Sequence, residues 1–475
     1  MTSPLWTFDE IAAALGAPPP GTGAVTGVSI DSRTLRQGDL FVAIEGERVD
    51  GHHFIEAAFE KGAAAAIAGT GYDPDSSRSL FRAPDTLEAL NALASAARGR
   101  SGARIVAVTG SVGKTGTKEM LRAMLSQSGL THASEKSYNN LWGVPLSLAR
   151  MPKSSRFGVF EIGMNHAGEI TPLTCMVRPH IAVVTWVAPV HIEFFNSAAE
   201  IADAKAEIFE GFEQGGFAIL PQDNEHFERL AAQARVKNAE IVTFGESAHS
   251  AARLLSFEPL VSGSRVKASI LGSAIEFELG VPGRHLASNA LAALAAVKLA
   301  GADLQDAGAA LAAFEALEGR GRRERYETRE GAVLIVDETY NANPASMRAA
   351  LGVLGDVPRR EHGRRIAVLG DMLELGKAGP QFHADLAEAI GANGIDLVFC
   401  AGPLMAHLYG HLPAEKRGGA AETSQALLPG LLSAVRGGDA VMIKGSLGSR
   451  MSLLAAALRS HFANSPAGGH GRNAA

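Results

Sequence analysis

Lys114 and Thr115 close the string Val108-Thr109-Gly110-Ser111-Val112-Gly113-Lys114-Thr115, which follows an apolar run and leads into a segment with helical patterning. A glycine-bearing turn that feeds a helix N-terminus presents backbone N–H groups and a favourable dipole to phosphate. A lysine there adds a point charge, and a threonine offers a hydroxyl to Mg²⁺. The glycine expected five residues before Gly113 is replaced by Val108, so the usual phosphate-loop pattern is only partly met. The bland alternative is a glycine-rich turn carrying a surface lysine. Met120, Leu121, Met124 and Leu125 form an apolar stripe that can pack on a sheet, and this context favours phosphate binding.

Other polar residues stand where strands should end. Glu161 closes "FGVFE" and His191 follows "IAVVTWV". A carboxylate and an imidazole there suit a metal beside phosphates, although either alone reads equally well as a solvated loop residue. Lys205 falls among Ile201, Ala204, Ile208 and Phe212 on one helical face. It either snorkels from the edge of that stripe or turns inward. As a cation it cannot ligate Mg²⁺, which takes oxygen ligands, whereas a carbamylated lysine could. Further on, Asp337, Tyr340 and Asn341 follow one apolar run, Asp371 and Glu374 another, and Lys444 a third. Asn343 before Pro344 reads as a helix cap and first helical residue.

These groups need a scaffold that brings strand ends together. Short apolar runs alternate with helical patterns, which predicts α/β architecture with largely parallel sheets. Strands are expected at 25–30 and 40–44, then at 104–108, 157–161, 181–187, 217–220 and 241–244, and finally at 333–336, 366–369, 397–400 and 441–443. A linker is expected at Arg98–Gly102, an Arg-rich link near 319–326, and a disordered tail over 463–475. The expected domains are therefore 1–100, 101–318 and 319–462. The central one is P-loop ATPase-like and the last Rossmann-like. Ligands of open α/β sheets bind beyond the carboxyl ends of the strands, so a cleft between the second and third domains is expected.

Composition narrows the function classes. With 46% hydrophobic and 20% charged residues the chain is an ordinary globular one. A balance of −6, with no strongly basic block, argues against nucleic-acid binding. Two cysteines, Cys175 and Cys400, cannot make a disulfide framework and suit a reducing compartment. No run of eighteen apolar residues appears, and the first residues lack the pattern of a secretory signal. A cytoplasmic monomer without membrane insertion is the expectation.

"VTGSVGKT", "FEIGMNHAGEI", "HIEFF", "AKAEIF", "GRHLASNALAALA", "DETYNANP" and "GDMLELG" together resemble the Mur ligase family of peptidoglycan synthesis. The likeness runs from about residue 7 to 460. That family's loop has the form T-G-[ST]-x-G-K-T, which accounts for Val108. "VLGDMLELG", "YNANPAS" and "DSR…GDLFVAIEGERVDGHHF" are nearest the members that join D-alanyl-D-alanine to UDP-N-acetylmuramoyl-tripeptide. The resemblance implies ATP and Mg²⁺ as cofactors, and an N-terminal domain that binds the UDP-sugar. It implies that Thr109, Gly110, Ser111, Gly113, Lys114, Thr115 and Thr117 hold ATP. Asn289 would lie near the adenine, and Arg322, Asp337, Tyr340 and Asn341 would reach ATP from the third domain. Thr115, Glu161, His191 and Lys205 would organise the metal, with Lys205 carbamylated. Asp31, Ser32, Arg33, Asp50, Gly51, His52, Asn139, Asn140, Asn343, Asp371 and Lys444 would contact substrates. Lys114, Glu161, His191, Lys205 and Arg322 would carry the catalysis. "EGRGRRE" allows either Arg320 or Arg322 as the matching arginine. Rival readings are another amide-forming relative, a nucleotide-dependent switch, and a non-catalytic scaffold.

Overall fold

The computed structural model describes residues 4–46, 49–72, 78–190, 192–260 and 262–463. In the N-terminal domain four parallel strands lie in the order Gly27–Ser29, Asp39–Val42, Ala65–Gly69 and Leu80–Ala83. The last two were not anticipated, and the expected linker begins later, because Arg98 and Gly99 still belong to the helix Thr86–Gly99. Asp85 starts that helix, accepting from the N–H groups of Leu87 and Glu88.

The central domain is built on nine strands. Seven are mutually parallel, in the order Thr131–Ala133, Phe157–Glu161, Arg104–Thr109, Ile181–Val184, Phe217–Pro221, Glu240–Gly245 and Ala252–Pro259. Ser264–Ile270 and Ser273–Leu279 add an antiparallel extension that the sequence reading missed. Helices Lys114–Leu125 and Arg284–Leu299 cover one face, where Met120, Leu121, Met124 and Leu125 are completely buried. Each such side chain contributes about 1.5–3 kcal/mol. The other face carries a second core that includes Leu173, Ile201 and Phe209.

Six strands form the third domain's sheet, in the order Arg322–Tyr326, Val333–Glu338, Asp439–Lys444, Arg364–Gly370, Leu397–Ala401 and Arg417–Ala421. All neighbours are parallel except the first pair, so the expected Arg-rich link is in fact an antiparallel edge strand. The final helix is Ser452–Ala463; Ala463 is therefore helical, and the rest of the expected tail lies outside the described residues. No described helix is long and apolar enough to cross a membrane.

Candidate active site

Arg104–Thr109 lies between Phe157–Glu161 and Ile181–Val184, and the chain leaves it first to one side and then to the other. A crevice opens at such a switch point, and the loop 110–113 occupies it. Gly110 (φ 148°) and Gly113 (φ 86°) take backbone conformations that side chains disfavour. Space forbids side chains there as well. A Cβ on Gly110 would sit 2.0 Å from Thr185 Oγ1, and one on Gly113 2.7 Å from Asn289 Nδ2. Ser111 is pinned from below, its hydroxyl donating to Ala188 O at 2.9 Å and accepting from Ala188 N–H at 3.0 Å. The helix then starts at Lys114 with its first N–H groups open to the crevice. Lys114 Nζ folds back onto Gly110 O at 2.7 Å, and burial lowers its pKa.

Glu161 is buried, and two side chains from other elements fix its carboxylate. Thr115 Oγ1 donates to Oε2 at 2.8 Å and Asn139 Nδ2 to Oε1 at 2.7 Å. Asn139 is itself tied back through its carbonyl, which accepts from Gly163 N–H at 2.8 Å. Lys205, near the end of the helix Ala198–Ala206, is 2% exposed. It turns inward rather than snorkelling, and among the described residues it makes no ion pair. Burial, reinforced by the charge of Lys114, pushes its ammonium well below the ordinary lysine range. His191 lies outside the described residues.

A cavity of about 780 Å³ separates this wall from the third domain. Across it stand Arg320, Arg323, Glu338, Tyr340, Asn341, Asn343 and Lys444. Arg320 stacks its guanidinium 3.9 Å above the Tyr340 ring, a cation–π contact. It also donates to Ser137 Oγ at 3.1 Å, reaching the opposite wall. Lys444 Nζ bonds Asn341 O at 2.9 Å and pairs with Glu338 at 3.3 Å. Arg323 is pushed down to about 10 by burial. The arrangement concentrates cations and N–H donors around one cavity, as phosphate chemistry requires.

Several residues expected at the site lie elsewhere. Arg322 is exposed on the edge strand, pairing with Glu324 at 3.2 Å, and it is Arg320 that lines the cavity. Asp337 is buried at its strand end, where Arg459 of the last helix donates to it at 2.6 Å. Asp371 accepts from Met405 N–H at 2.8 Å and Leu404 N–H at 3.3 Å, holding the start of the helix Met405–His411. Asn343 lines the cavity but also caps Pro344–Gly355 in a reciprocal pair with Ser346. Asn140 accepts from Gly143 N–H at 2.9 Å at the head of Gly143–Ala149. Asn289 packs under Gly113 and lines the cavity, whereas the buried hydroxyls of Thr109 and Thr117 find no partner among the described residues.

The N-terminal residues form a separate cluster away from the cavity. Arg33 grips Asp31 at 2.8 Å and holds its carboxyl below the usual range, while Ser32 O accepts from Lys61 at 2.8 Å. Asp50 accepts from His52 N–H at 2.9 Å and contacts its ring Nδ1 at 2.6 Å; Gly69 N–H donates to the other ring nitrogen at 2.8 Å. Gly51 lies so close to the backbone of Ile44 (2.6 Å to a Cβ) that no side chain fits.

Sequence reasoning missed Ser137, Arg323 and Glu338, and also the group Asp223, Glu246 and Arg284 at the far end of the cavity. Glu338 and Arg323 carried a signal: each lies within one residue of a position that was singled out.

Three family models match the chain: the Mur ligase family catalytic domain over residues 24–97, the Mur ligase middle domain over 108–297, and the Mur ligase glutamate ligase domain over 321–447. A curated relative is the UDP-N-acetylmuramoyl-tripeptide–D-alanyl-D-alanine ligase of Rickettsia prowazekii. It is 30% identical over 448 residues, which cover 94% of this chain and 98% of that protein. Among solved structures, MurF from Acinetobacter baumannii superposes with a TM-score of 0.84 at 29% identity, covering 96% of this chain and 99% of that one. The MurF ligase of Thermotoga maritima in complex with ADP gives 0.77 at 27% identity, with 92% and 97% covered.

Proposed function

The chain belongs to the Mur ligase family, and from that premise we infer that it is an ATP-dependent ligase joining D-alanyl-D-alanine to UDP-N-acetylmuramoyl-tripeptide in peptidoglycan synthesis. The observation that carries this reading is the cavity, with Lys114, Thr115 and Glu161 on one wall facing Arg320 and Lys444 on the other.

A peptide carboxylate is a poor electrophile. In the proposed reaction its oxygen attacks the γ-phosphorus of ATP, ADP leaves, and an acyl phosphate remains. The amine of D-alanyl-D-alanine then attacks the acyl carbon. The tetrahedral intermediate collapses by expelling phosphate, and the amine proton passes to solvent. Both steps gather negative charge. The 110–115 backbone N–H groups and Lys114 bind the phosphates, and Arg320 meets the transferred group from the third domain. Excluding water protects the acyl phosphate, so the third domain closes onto the second during turnover.

The donor set suits Mg²⁺, because Thr115 Oγ1 and Glu161 Oε2 are buried hard oxygens 2.8 Å apart. Among the described residues there is no cluster of three or more metal-binding side chains, and Mg²⁺ is usually held by one or two carboxylates plus substrate phosphates. Thr115 and Glu161 would hold the ion, which supplies charge neutralisation on the phosphates when bound. The neutral amine that burial favours at Lys205 could add to CO₂ and lose a proton, giving a carbamate oxygen as a further ligand. Asp31, Arg33 and His52 are assigned to the UDP-sugar.

The test is phosphate release from ATP with Mg²⁺, adding the UDP-tripeptide and D-alanyl-D-alanine singly and together. Release that requires both, with the ligated product seen by mass spectrometry, is expected. Release indifferent to both would replace the ligase by a nucleotide switch. Glu161→Gln should lower the substrate-dependent rate by about 10²–10³, the scale of losing one transition-state contact.

A further inference from the structure

Four residues beyond Lys114, on the same helix, lies a second lysine with no part in the mechanism above. Lys118 is completely buried. Charged side chains are almost never fully buried unless paired, and here the pairing is complete. Its ammonium has three protons and three acceptors: Ser134 O at 2.7 Å, Lys136 O at 2.6 Å and Glu119 Oε1 at 2.7 Å. Glu119 is held in turn by Arg122 Nε at 2.7 Å.

The two carbonyls belong to the turn that leaves the edge strand Thr131–Ala133. That turn is strained, because Lys136 sits at φ 49°, a left-handed conformation that a non-glycine residue disfavours. One ammonium bridging carbonyls two residues apart holds the turn in that form. Directly after it come Ser137, which meets Thr115 Oγ1 at 3.5 Å and Arg320 at 3.1 Å, and Asn139, which orients Glu161 at 2.7 Å. The loop therefore links three parts of the site: the phosphate loop, the carboxylate and the third domain.

We propose that Lys118 is a positioning residue for the ligase reaction: its buried ammonium fixes the 134–140 turn so that Asn139 aligns the Glu161 carboxylate and Ser137 receives Arg320. Lys118 touches neither substrate nor nucleotide; it acts through the loop. The inference rests on the reading of the cavity as a ligase site. It also divides the work within "GKTGTK": the first lysine serves phosphate and the second serves the protein.

Lys118→Met keeps the aliphatic stem and removes the charge. Amide hydrogen exchange in residues 134–140, measured without ligands, should speed up at least about tenfold, while the helix Lys114–Leu125 keeps its protection. kcat/KM for substrate-dependent phosphate release should fall about 30-fold, and in an Asn139→Ala background the same change should cost less than about 3-fold, since residues acting as a unit are non-additive. An equal loss in both backgrounds, or unchanged exchange in the turn, would overturn the proposal. Lys118→Arg retains charge but cannot aim its planar fork at all three acceptors. It carries the same test if the Met variant does not fold, with about a tenfold loss and the same non-additivity expected. Should the wild type show no substrate-dependent release, the ligase reading fails, while the ligand-free exchange measurement still decides the role of Lys118 in the turn.

Discussion

The two domain junctions of this chain are built by opposite means. Between the first and second domains, Leu146 and Ala149 of the central domain are buried in the N-terminal domain's own core beside Trp6, Leu93 and Ala97. Side chains cross the junction to bond backbone: Trp6 Nε1 to Ala149 O at 2.8 Å, Arg150 Nε to Val28 O at 2.6 Å, and Arg98 Nε to Val177 O at 2.8 Å. Between the second and third domains there is a cavity of about 780 Å³, crossed by Arg320. A few peripheral contacts accompany it, among them Ile192 against the third domain's core and Glu193 N–H near Glu374 O at 3.5 Å. A shared core makes two domains one body, whereas a cavity leaves room between the second and the third. For the proposed acyl-phosphate ligase that division would be useful, because the UDP-sugar would be held at a fixed distance from the phosphate loop while the cleft opened for exchange and closed for chemistry.

The largest expected effect breaks the shared core of the first junction. Trp6 is 1% exposed, with the Arg100 guanidinium 3.4 Å above its ring. Trp6→Ala should destabilise by about 3–5 kcal/mol. By calorimetry the first two domains should unfold in one transition in the wild type, and in the variant the N-terminal domain should melt earlier and separately. Two transitions already present in the wild type would show that the junction does not make one body.

Acid should act next, and on the same body. His132 lies within 2.7 Å of Ser147 O, tying the edge strand to the helix Gly143–Ala149, and burial lowers its pKa from 6.5 to about 4. Because the folded value lies below the unfolded one, the unfolded chain binds more protons between those values. Stability is therefore full above pH 6.5 and falls as pH drops toward 4. The loss at pH 4.5 should be about 2–3 kcal/mol by linkage. The gap between urea midpoints at pH 7 and 4.5 should narrow in His132→Gln without closing, because burial also lowers His180 to about 4; an unchanged gap would remove His132 as a cause.

What the sequence could reveal of this division was uneven. The phosphate loop and the strand ending in Glu161 were legible because local pattern decides them: a turn before a helix, and a run ending in a carboxylate. The apolar stripe around Lys205 left snorkelling and inward burial both open, and only the packing decides for burial. Ser264–Ile270 and Ser273–Leu279 were legible in principle, since Val266, Ala268 and Ile270 alternate with polar neighbours, but an expectation of parallel α/β units hid them. Asp337 and Asp371 each meet a partner within the fold that the sequence did not show. Their partners, Arg459 and the N–H of Met405, are 122 and 34 residues away, and spacing alone cannot say whether a strand-end carboxylate meets a ligand or its own fold. Arg320 and Arg322 differ only in register, which the pairing of Arg322 opposite Asp337 decides.

The cavity junction is probed by Arg320→Ala. Its contacts to Ser137 and Tyr340 are partly exposed, so unfolding stability should change by less than about 1 kcal/mol. If Arg320 meets the transferred phosphoryl group on closure, kcat/KM should fall about 10- to 100-fold, and mostly in kcat. A loss confined to stability would make it a strut rather than a participant.

The smallest effect locates the hinge. Gly319 O accepts from Tyr340 N–H and Gly321 N–H donates to Asp337 O, so the link already belongs to the third domain by residue 319. Phe314 and Ala316 still pack on the central core. The pivot of the proposed closure therefore falls between them, at Leu317 and the exposed Glu318. Glu318→Gly removes no core contact and adds backbone freedom worth about 0.5–1 kcal/mol. Where that cost appears depends on when the link becomes ordered. If one conformation is imposed only as the cleft closes, stability stays within error and kcat/KM falls about 2- to 5-fold, the equivalent of that energy. If the link is already fixed in the free protein, the cost falls on folding: the melt shifts and turnover does not. The first outcome is expected, because Leu317 and Glu318 are exposed and neither packs on either domain's core among the described residues.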